Sequence, residues 1–280
     1  MYFMSISILG CGWLGFPLAQ SLLHHNYRIK GSTTSESKFE ILEKNGIEPF
    51  LLSVPETVDS QSNDSFWESD VLFLNIPPGR GEPNLSNSYP EKLKRVCDRI
   101  LRTDRDKRIK KIIFASSTSV YPSKEGIYSE EDTNLSDTSR PSGKAVLKAE
   151  NLLLGYSKFE TVILRFGGLY GYNRHPVRYL AGKENISSPL KPVNLIHQDD
   201  CIQIVRKILD LGSVKGVFNA VSDGHPPRKT LYQSAADHFG VEPPSFDEST
   251  KSVNRIISNE KLKEELDYSF IYPNPLDHTA

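Results

Sequence analysis

GCGWLG (10–15) carries glycines spaced as G-x-G-x-x-G, and that spacing suits one kind of chemistry, the holding of phosphates. Gly10 would permit a tight turn, Gly12 would let backbone approach a pyrophosphate, and Gly15 would let a helix pack closely on its strand. The free N–H groups and partial positive charge of a helix N-terminus would complete the anion site, with Trp13 and Leu14 in the same contact set. Such glycine patterns are common in turns. Here SISIL (5–9) in front reads as a buried β-branched strand, and LGFPLAQSLL behind reads as an apolar-periodic helix. That context makes the loop a dinucleotide site.

The nucleotide preference is written at the end of the next strand, YRIKGST (27–33). An acid about 20 residues beyond the glycines takes the ribose hydroxyls of NAD. This chain has Thr33 there, flanked by Ser32, Thr34 and Ser35, with Lys38 or Arg28 as the nearby cation. Hydroxyls and a cation suit a 2′-phosphate, which an acid would repel, so NADP(H) is favoured over NAD(H). Glu36 is the opposing charge, but it belongs to the first turn of the next helix, where the helix dipole favours it.

The elements that must position these residues alternate. SKFEILEKNG reads as a helix with a capping box at Ser37 and Glu40 and a glycine stop at Gly46. EPFLLSV, DVLFLNI, KKIIFASS and FETVILRF read as strands, with the polar helix PEKLKRVCDRIL between the second and third. Strands alternating with helices predict an α/β fold, a doubly wound parallel sheet of Rossmann type. A core over 1–171 and a smaller substrate lobe over 172–280 are expected, with segments at about 194–221 returning to the core. Later helices are expected at DDCIQIVRKILDLG, RKTLYQSAADHFG and SNEKLKEEL, the last capped by Ser258 or Asn259.

Five segments then occur in order: FASSTSVYP (114–122), the P-x-G-K…E frame of PSGKAVLKAE (141–150), LRFGGLYG (164–171), NLIHQDD (194–200) and GVFNA (216–220). Together they resemble the extended short-chain dehydrogenase/reductase family, the NAD(P)-dependent nucleotide-sugar epimerases and dehydratases, over nearly the whole chain. The resemblance implies a Rossmann fold with a small C-terminal substrate lobe, a small-molecule substrate and the family's usual homodimer. It also implies acid–base catalysis by a Ser or Thr together with a Tyr-x-x-x-Lys pair on one helix. Ser117, four residues before Tyr121, takes the Ser/Thr position. The tyrosine position falls on Ser142 and the lysine position on Val146. Lys144 and Lys148 do not restore the i,i+4 relation to Ser142. The glycine loop departs too, since Leu9 precedes it where the commoner form is TGxxGxxG. The chain thus reads as an atypical member.

Losing a positioned acid–base group typically costs about 10²–10⁴-fold. Tyr121, Tyr128, Tyr170, Lys144 and His197 are the candidate replacements, and Tyr121 joins Ser117 and Ser142 in the expected catalytic set. Each also has a structural reading: Tyr121 and Tyr170 as packing at strand ends, His197 as a hydrogen-bonded neighbour of Asp199 and Asp200. In NIPPGRG (75–81), Ile76 and Pro77 are expected against the nucleoside. Arg80 and Arg174 are candidates for a substrate anion, and Arg165 reads as structural. Hydride transfer on a sugar- or polyol-like substrate is the leading reading. A non-catalytic NADP(H) sensor is the alternative. A β-hydroxyacid dehydrogenase, which has a similar glycine loop, is disfavoured by LRFGGLYG and by the lack of an all-helical second half.

The 280 residues carry 38% hydrophobic and 25% charged side chains with a net charge of −1, the profile of a soluble globular protein without an overall bias toward nucleic acid or anionic membranes. The three cysteines, Cys11, Cys97 and Cys201, form no CxxC pair, so neither a disulfide framework nor a zinc or other metal site is expected. MYFMSISILG lacks a secretory pattern, and no apolar run approaches a membrane span; a cytoplasmic protein is expected.

Overall fold

In the computed structural model, residues 4–79, 81, 84–138 and 140–277 are described. In chain order the elements are β1 (Ser5–Leu9), α1 (Gly15–Leu23), β2 (Arg28–Thr33), α2 (Phe39–Lys44), β3 (Glu48–Leu51), β4 (Val71–Leu74), α3 (Leu85–Arg102) and β5 (Lys111–Ser117). There follow β6 (Gly126–Tyr128), α4 (Pro141–Leu154), β7 (Glu160–Phe166), β8 (Gly168–Tyr170), β9 (Leu195–His197) and α5 (Gln198–Leu211). The last are β10 (Gly216–Ala220), α6 (Arg228–Phe239), β11 (Arg255–Ile257) and α7 (Glu260–Leu266).

The chain forms two compact units: Met1–Val120 with Arg140–Leu164 and Gly212–Val217, and Tyr121–Ser139 with Arg165–Leu211 and Phe218–Ala280. They interleave along the chain, where the sequence suggested a core over 1–171 and a lobe over 172–280 with segments at about 194–221 returning to the core. The reason is strand pairing: β6, from the middle of the chain, pairs in parallel with β11 near its end.

The first unit is built on a seven-stranded sheet of order β10-β7-β5-β4-β1-β2-β3, into which β7 and β10 feed. The pairs β1–β2, β1–β4, β2–β3 and β4–β5 are all parallel. All four residues of β4, Val71–Leu74, are buried, as a strand flanked by helices requires. Each such side chain contributes about 1.5–3 kcal/mol. The strand order reverses between β1 and β4, the switch point where sheets of this kind take ligands at their carboxyl ends. From that edge leave the glycine loop after Leu9, the hydroxyl loop after Thr33, the NIPPG loop after Leu74 and Ser117 itself.

Two helix starts differ from the sequence expectation. α3 begins at Leu85, with Pro90 inside it. The apolar stripe Tyr89, Leu93, Val96, Cys97 and Ile100 is buried continuously, and burial of Tyr89 carries the helix back past the proline. The capping box at Ser37 and Glu40 does not form. Ser37 lies within a 3₁₀ turn (Glu36–Lys38), its hydroxyl shares a hydrogen bond with that of Ser35, and Lys38 takes the N-cap position without a side-chain bond. The glycine stop does form: Gly46 has φ +76°, and the N–H groups of Gly46 and Ile47 reach back to Glu43 and Leu42.

The second unit contains β6–β11, the parallel pair β8–β9, and α5, α6 and α7. Its core gathers Tyr170, Val177, Leu195, Leu231, Tyr232, Ala235 and Ala236. Asp200, fully buried at the start of α5, accepts the Tyr268 hydroxyl at 2.8 Å and the N–H groups of Ile271 and Tyr272 at 2.7 and 3.1 Å. It thereby pins the C-terminal segment. Burial raises its carboxyl above the usual range, while those three donors pull it down. At α7, Asn259 spends its amide on Val221 and Asp223, and the Ser258 hydroxyl accepts the Glu260 N–H at 3.4 Å.

Candidate functional site

The glycine loop is held by backbone contacts that leave no room for side chains at two of its three glycines. Gly10 has φ +107°, and a Cβ there would lie 2.5 Å from the Asn75 carbonyl oxygen. A Cβ at Gly15 would lie 2.2 Å from the Gly10 oxygen, so the first turn of α1 is laid directly on the loop. At Gly12 a Cβ would meet nothing within 4 Å. Open space thus lies over the middle glycine at a helix start with no side-chain cap and no acid in its first turn. Such a start presents N–H donors and positive partial charge to a phosphate. The residues present therefore fit the pyrophosphate of a dinucleotide.

Two side chains brace this loop that sequence reasoning did not single out for the purpose. Asn75 donates through Nδ2 to the Gly10 carbonyl at 3.0 Å. Ser32, buried, accepts the Gly10 N–H at 2.8 Å. Ser32 was expected at the cofactor, and its hydroxyl is spent on the loop. Thr33 similarly accepts the Ser35 N–H at 3.2 Å, leaving exposed Thr34 and Lys38 and half-buried Ser35 as the outward-facing polar groups. Arg28 opens β2, and Thr33 closes it. At about 3.3 Å per residue the two lie roughly 16 Å apart, which removes Arg28 as the neighbouring cation. Burial pushes the Cys11 thiol up to about 12, against the opposing pull of the Ser32 backbone hydrogen bond and the Lys38 charge.

Ile76 and Pro77 leave the end of β4 on the same edge, and the buried Tyr89 hydroxyl donates to the Ile76 carbonyl at 2.7 Å. Burial raises that phenol far above its ordinary value, with the Glu150 charge adding to the effect. Arg80 lies outside the described residues. Ser117 ends β5 half-buried, and its Oγ accepts the Ser119 N–H at 3.1 Å. Helix α4 starts with Pro141 at its first position and no side-chain cap, with half-buried Ser142 next. Val146 is 3% exposed. One turn further on, fully buried Glu150 accepts a hydrogen bond from Ser116 Oγ.

In the second unit, Tyr121 is 1% exposed and its hydroxyl is engaged twice. It donates to Asn219 Oδ1 at 2.6 Å and accepts from Arg165 Nη1 at 2.8 Å. Arg165 also donates to the Glu130 carbonyl at 2.7 Å, and the Glu130 carboxylate accepts the Asn219 N–H at 2.7 Å. This closed network gives Arg165 its expected structural role and occupies the Tyr121 oxygen. Burial raises the Tyr121 phenol, with Arg165 opposing. His197 is fully buried, its Nδ1 accepts the Asp199 N–H at 3.2 Å, and its ring centroid lies 3.8 Å from that of Tyr272. Tyr170 is buried beside it, and Tyr128 bonds to backbone at Lys124. Arg174 is exposed in a turn closed by its backbone pair with Gly171.

The sheet order, its switch point and the glycine loop define a Rossmann-type, dinucleotide-binding α/β protein. The model of the NAD dependent epimerase/dehydratase family matches residues 6–183, and the chain belongs to that family. It is 34% identical over 274 residues to Protein YeeZ of Escherichia coli (strain K12), covering 97% of both chains. Among solved structures, its fold is similar to that of the Bordetella bronchiseptica enzyme WbmG in complex with NAD, with TM-score 0.77 and 17% identity over 99% of this chain and 93% of that one. It is likewise similar to human epimerase family protein SDR39U1 with NADPH, with TM-score 0.74 and 15% identity over 99% and 98%.

Proposed function

We propose that this chain is an NADP(H)-binding, atypical extended short-chain dehydrogenase-like protein that carries out hydride transfer on a sugar- or polyol-like substrate without the Tyr-x-x-x-Lys pair. The observation that carries the reading is the glycine loop: Gly10 and Gly15 are locked by backbone, and Gly12 is open beneath an uncapped helix start. Structural neighbours hold NAD in one case and NADPH in the other. Preference for the 2′-phosphate rests on Thr34, Ser35 and Lys38, with no acid at position 33.

The nicotinamide supplies or accepts the hydride when bound. Ser117 Oγ holds the substrate oxygen, and Ser142 stands where the family's proton donor stands. A serine hydroxyl is a poor acid, so turnover is slower than for a tuned tyrosine by about 10²–10⁴-fold. Buried Val146 carries no charge to hold a ribose or to lower a neighbour's pKa. That favours a second reading, a sensor that binds NADP(H) and turns over nothing. The three cysteines, all free thiols, go with a cytoplasmic setting.

NADPH oxidation against a panel of sugar and polyol carbonyls separates the two readings. Sustained turnover that falls at least tenfold in Ser117→Ala supports the enzyme. Binding without turnover selects the sensor, and turnover unchanged in Ser117→Ala removes the role given to Ser117.

A further inference from the structure

The basic run RTDRDKRIKK (102–111) has no part in the reading above, yet the fold gives it a cavity. The turn after α3 and the loop after α4, both in the first unit, wall a space of about 460 Å³ lined by Arg105, Arg108, Ser157 and Lys158. Arg108 leads into β5 and Lys158 into β7, and the Lys110 carbonyl accepts the Glu160 N–H at 2.8 Å across the two strand starts. The cavity therefore opens at the amino ends of the strands, whereas the glycine loop leaves from their carboxyl ends.

Both walls are anchored. The Asp104 carbonyl closes one turn by accepting the N–H groups of Lys107 and Arg108 at 3.0 and 2.9 Å. Ile109 is fully buried beside Arg108, and Phe159 is buried beside Lys158 with Tyr156 stacked on it at 5.2 Å. No acid lines the cavity. The neighbouring carboxylate of Glu160 pairs with Lys111 at 3.1 Å, and among the described residues none of the three lining cations forms an ion pair. Three like charges facing one space are complemented by an anion that can accept from all of them. Two guanidinium forks, an ammonium and a hydroxyl match the oxygens of a phosphate.

We propose that this cavity binds a phosphate-bearing small molecule, a phosphomonoester or diphosphate, at a site separate from the glycine loop. Its volume is that of a small-ligand pocket. The positive charge is local to this edge of a chain whose net charge is −1, and Asp104 and Asp106 interrupt the run, unlike the continuous basic stripe an extended nucleic acid would need.

The test is calorimetric titration of the full chain with inorganic pyrophosphate, in the wild type and in Arg108→Ala/Lys158→Ala, with melting curves to confirm folding. The wild type should bind, and the double variant should lose affinity at least about tenfold while binding NADPH as before. Lys158→Glu alone serves if the double variant does not fold, with the same expected loss. Three results would overturn the proposal: no binding by the wild type at millimolar pyrophosphate, equal binding by wild type and variant, or a short single-stranded oligonucleotide binding more tightly than pyrophosphate and dependent on the same cations.

Discussion

The glycine loop of the first unit and the Tyr121 network of the second are both dense in hydrogen bonds, and they use them in opposite ways. Around Tyr121 every named polar atom meets another protein atom: the phenol has Asn219 and Arg165, and the Glu130 carboxylate has the Asn219 backbone. Around the glycine loop, Ser32 and Asn75 spend their polar atoms fixing Gly10, and the space over Gly12 stays open at an uncapped helix start. A closed network stabilises, because leaving one of its buried members unpaired costs about 1–3 kcal/mol. A braced loop with open space over its middle glycine can bind. Ligand capacity thus lies where braced backbone borders open space, rather than where polar side chains are most numerous.

The contrast predicts different consequences for substitutions in the two places. Gly10→Ala should have the largest effect, because φ +107° and the Asn75 oxygen at 2.5 Å both oppose a Cβ. Chemical denaturation should show a loss of about 3 kcal/mol or more, and NADPH binding should disappear. Tyr121→Phe should lower stability by about 1–3 kcal/mol in the same assay and leave NADPH affinity unchanged, since it strands Asn219 and Arg165. If that variant instead keeps full stability and loses turnover, Tyr121 is a catalytic group after all.

Gly12→Ala should do the reverse of Tyr121→Phe. With nothing within 4 Å of its Cβ, the melting temperature should hold while NADPH affinity falls roughly tenfold through lost close approach. Lys38→Ala should weaken NADPH by about five- to tenfold and leave NADH untouched, read by paired titrations. The last effect is confined to alkaline pH. The buried Cys11 thiol titrates at about 12 against an ordinary value of 9.0, so between those limits the folded state holds a proton the unfolded state has lost. Stability should therefore fall as pH rises through that window, and Cys11→Ala should fall less.

Much of the frame was legible in the chain. Apolar runs such as SISIL and VLFL became β1 and β4, and the glycines fell between a strand and a helix as the spacing requires. The bracing was not legible. Asn75 and Ser32 converge on Gly10 only because β4 and β2 flank β1, and pairing between strands is absent from local pattern. Arg28 looked close to the hydroxyl loop in sequence, and the extended strand carries it away. The polar helix was read from Pro90 onward, whereas burial of Tyr89 continues the helix behind it. Tyr121 stood in the expected catalytic set, and only folding shows its oxygen committed to Arg165, 44 positions on, and Asn219, 98 positions on.

The most direct test of the central claim is to titrate the purified protein with NADPH and, separately, with NADH, following nicotinamide fluorescence, alongside Gly12→Ala. The account predicts saturable NADPH binding at least tenfold tighter than NADH binding and weakened in the variant, each tenfold corresponding to about 1.4 kcal/mol. Failure of the wild type to bind either nucleotide would contradict it, and would leave the GCGWLG loop as a turn that only joins a strand to a helix.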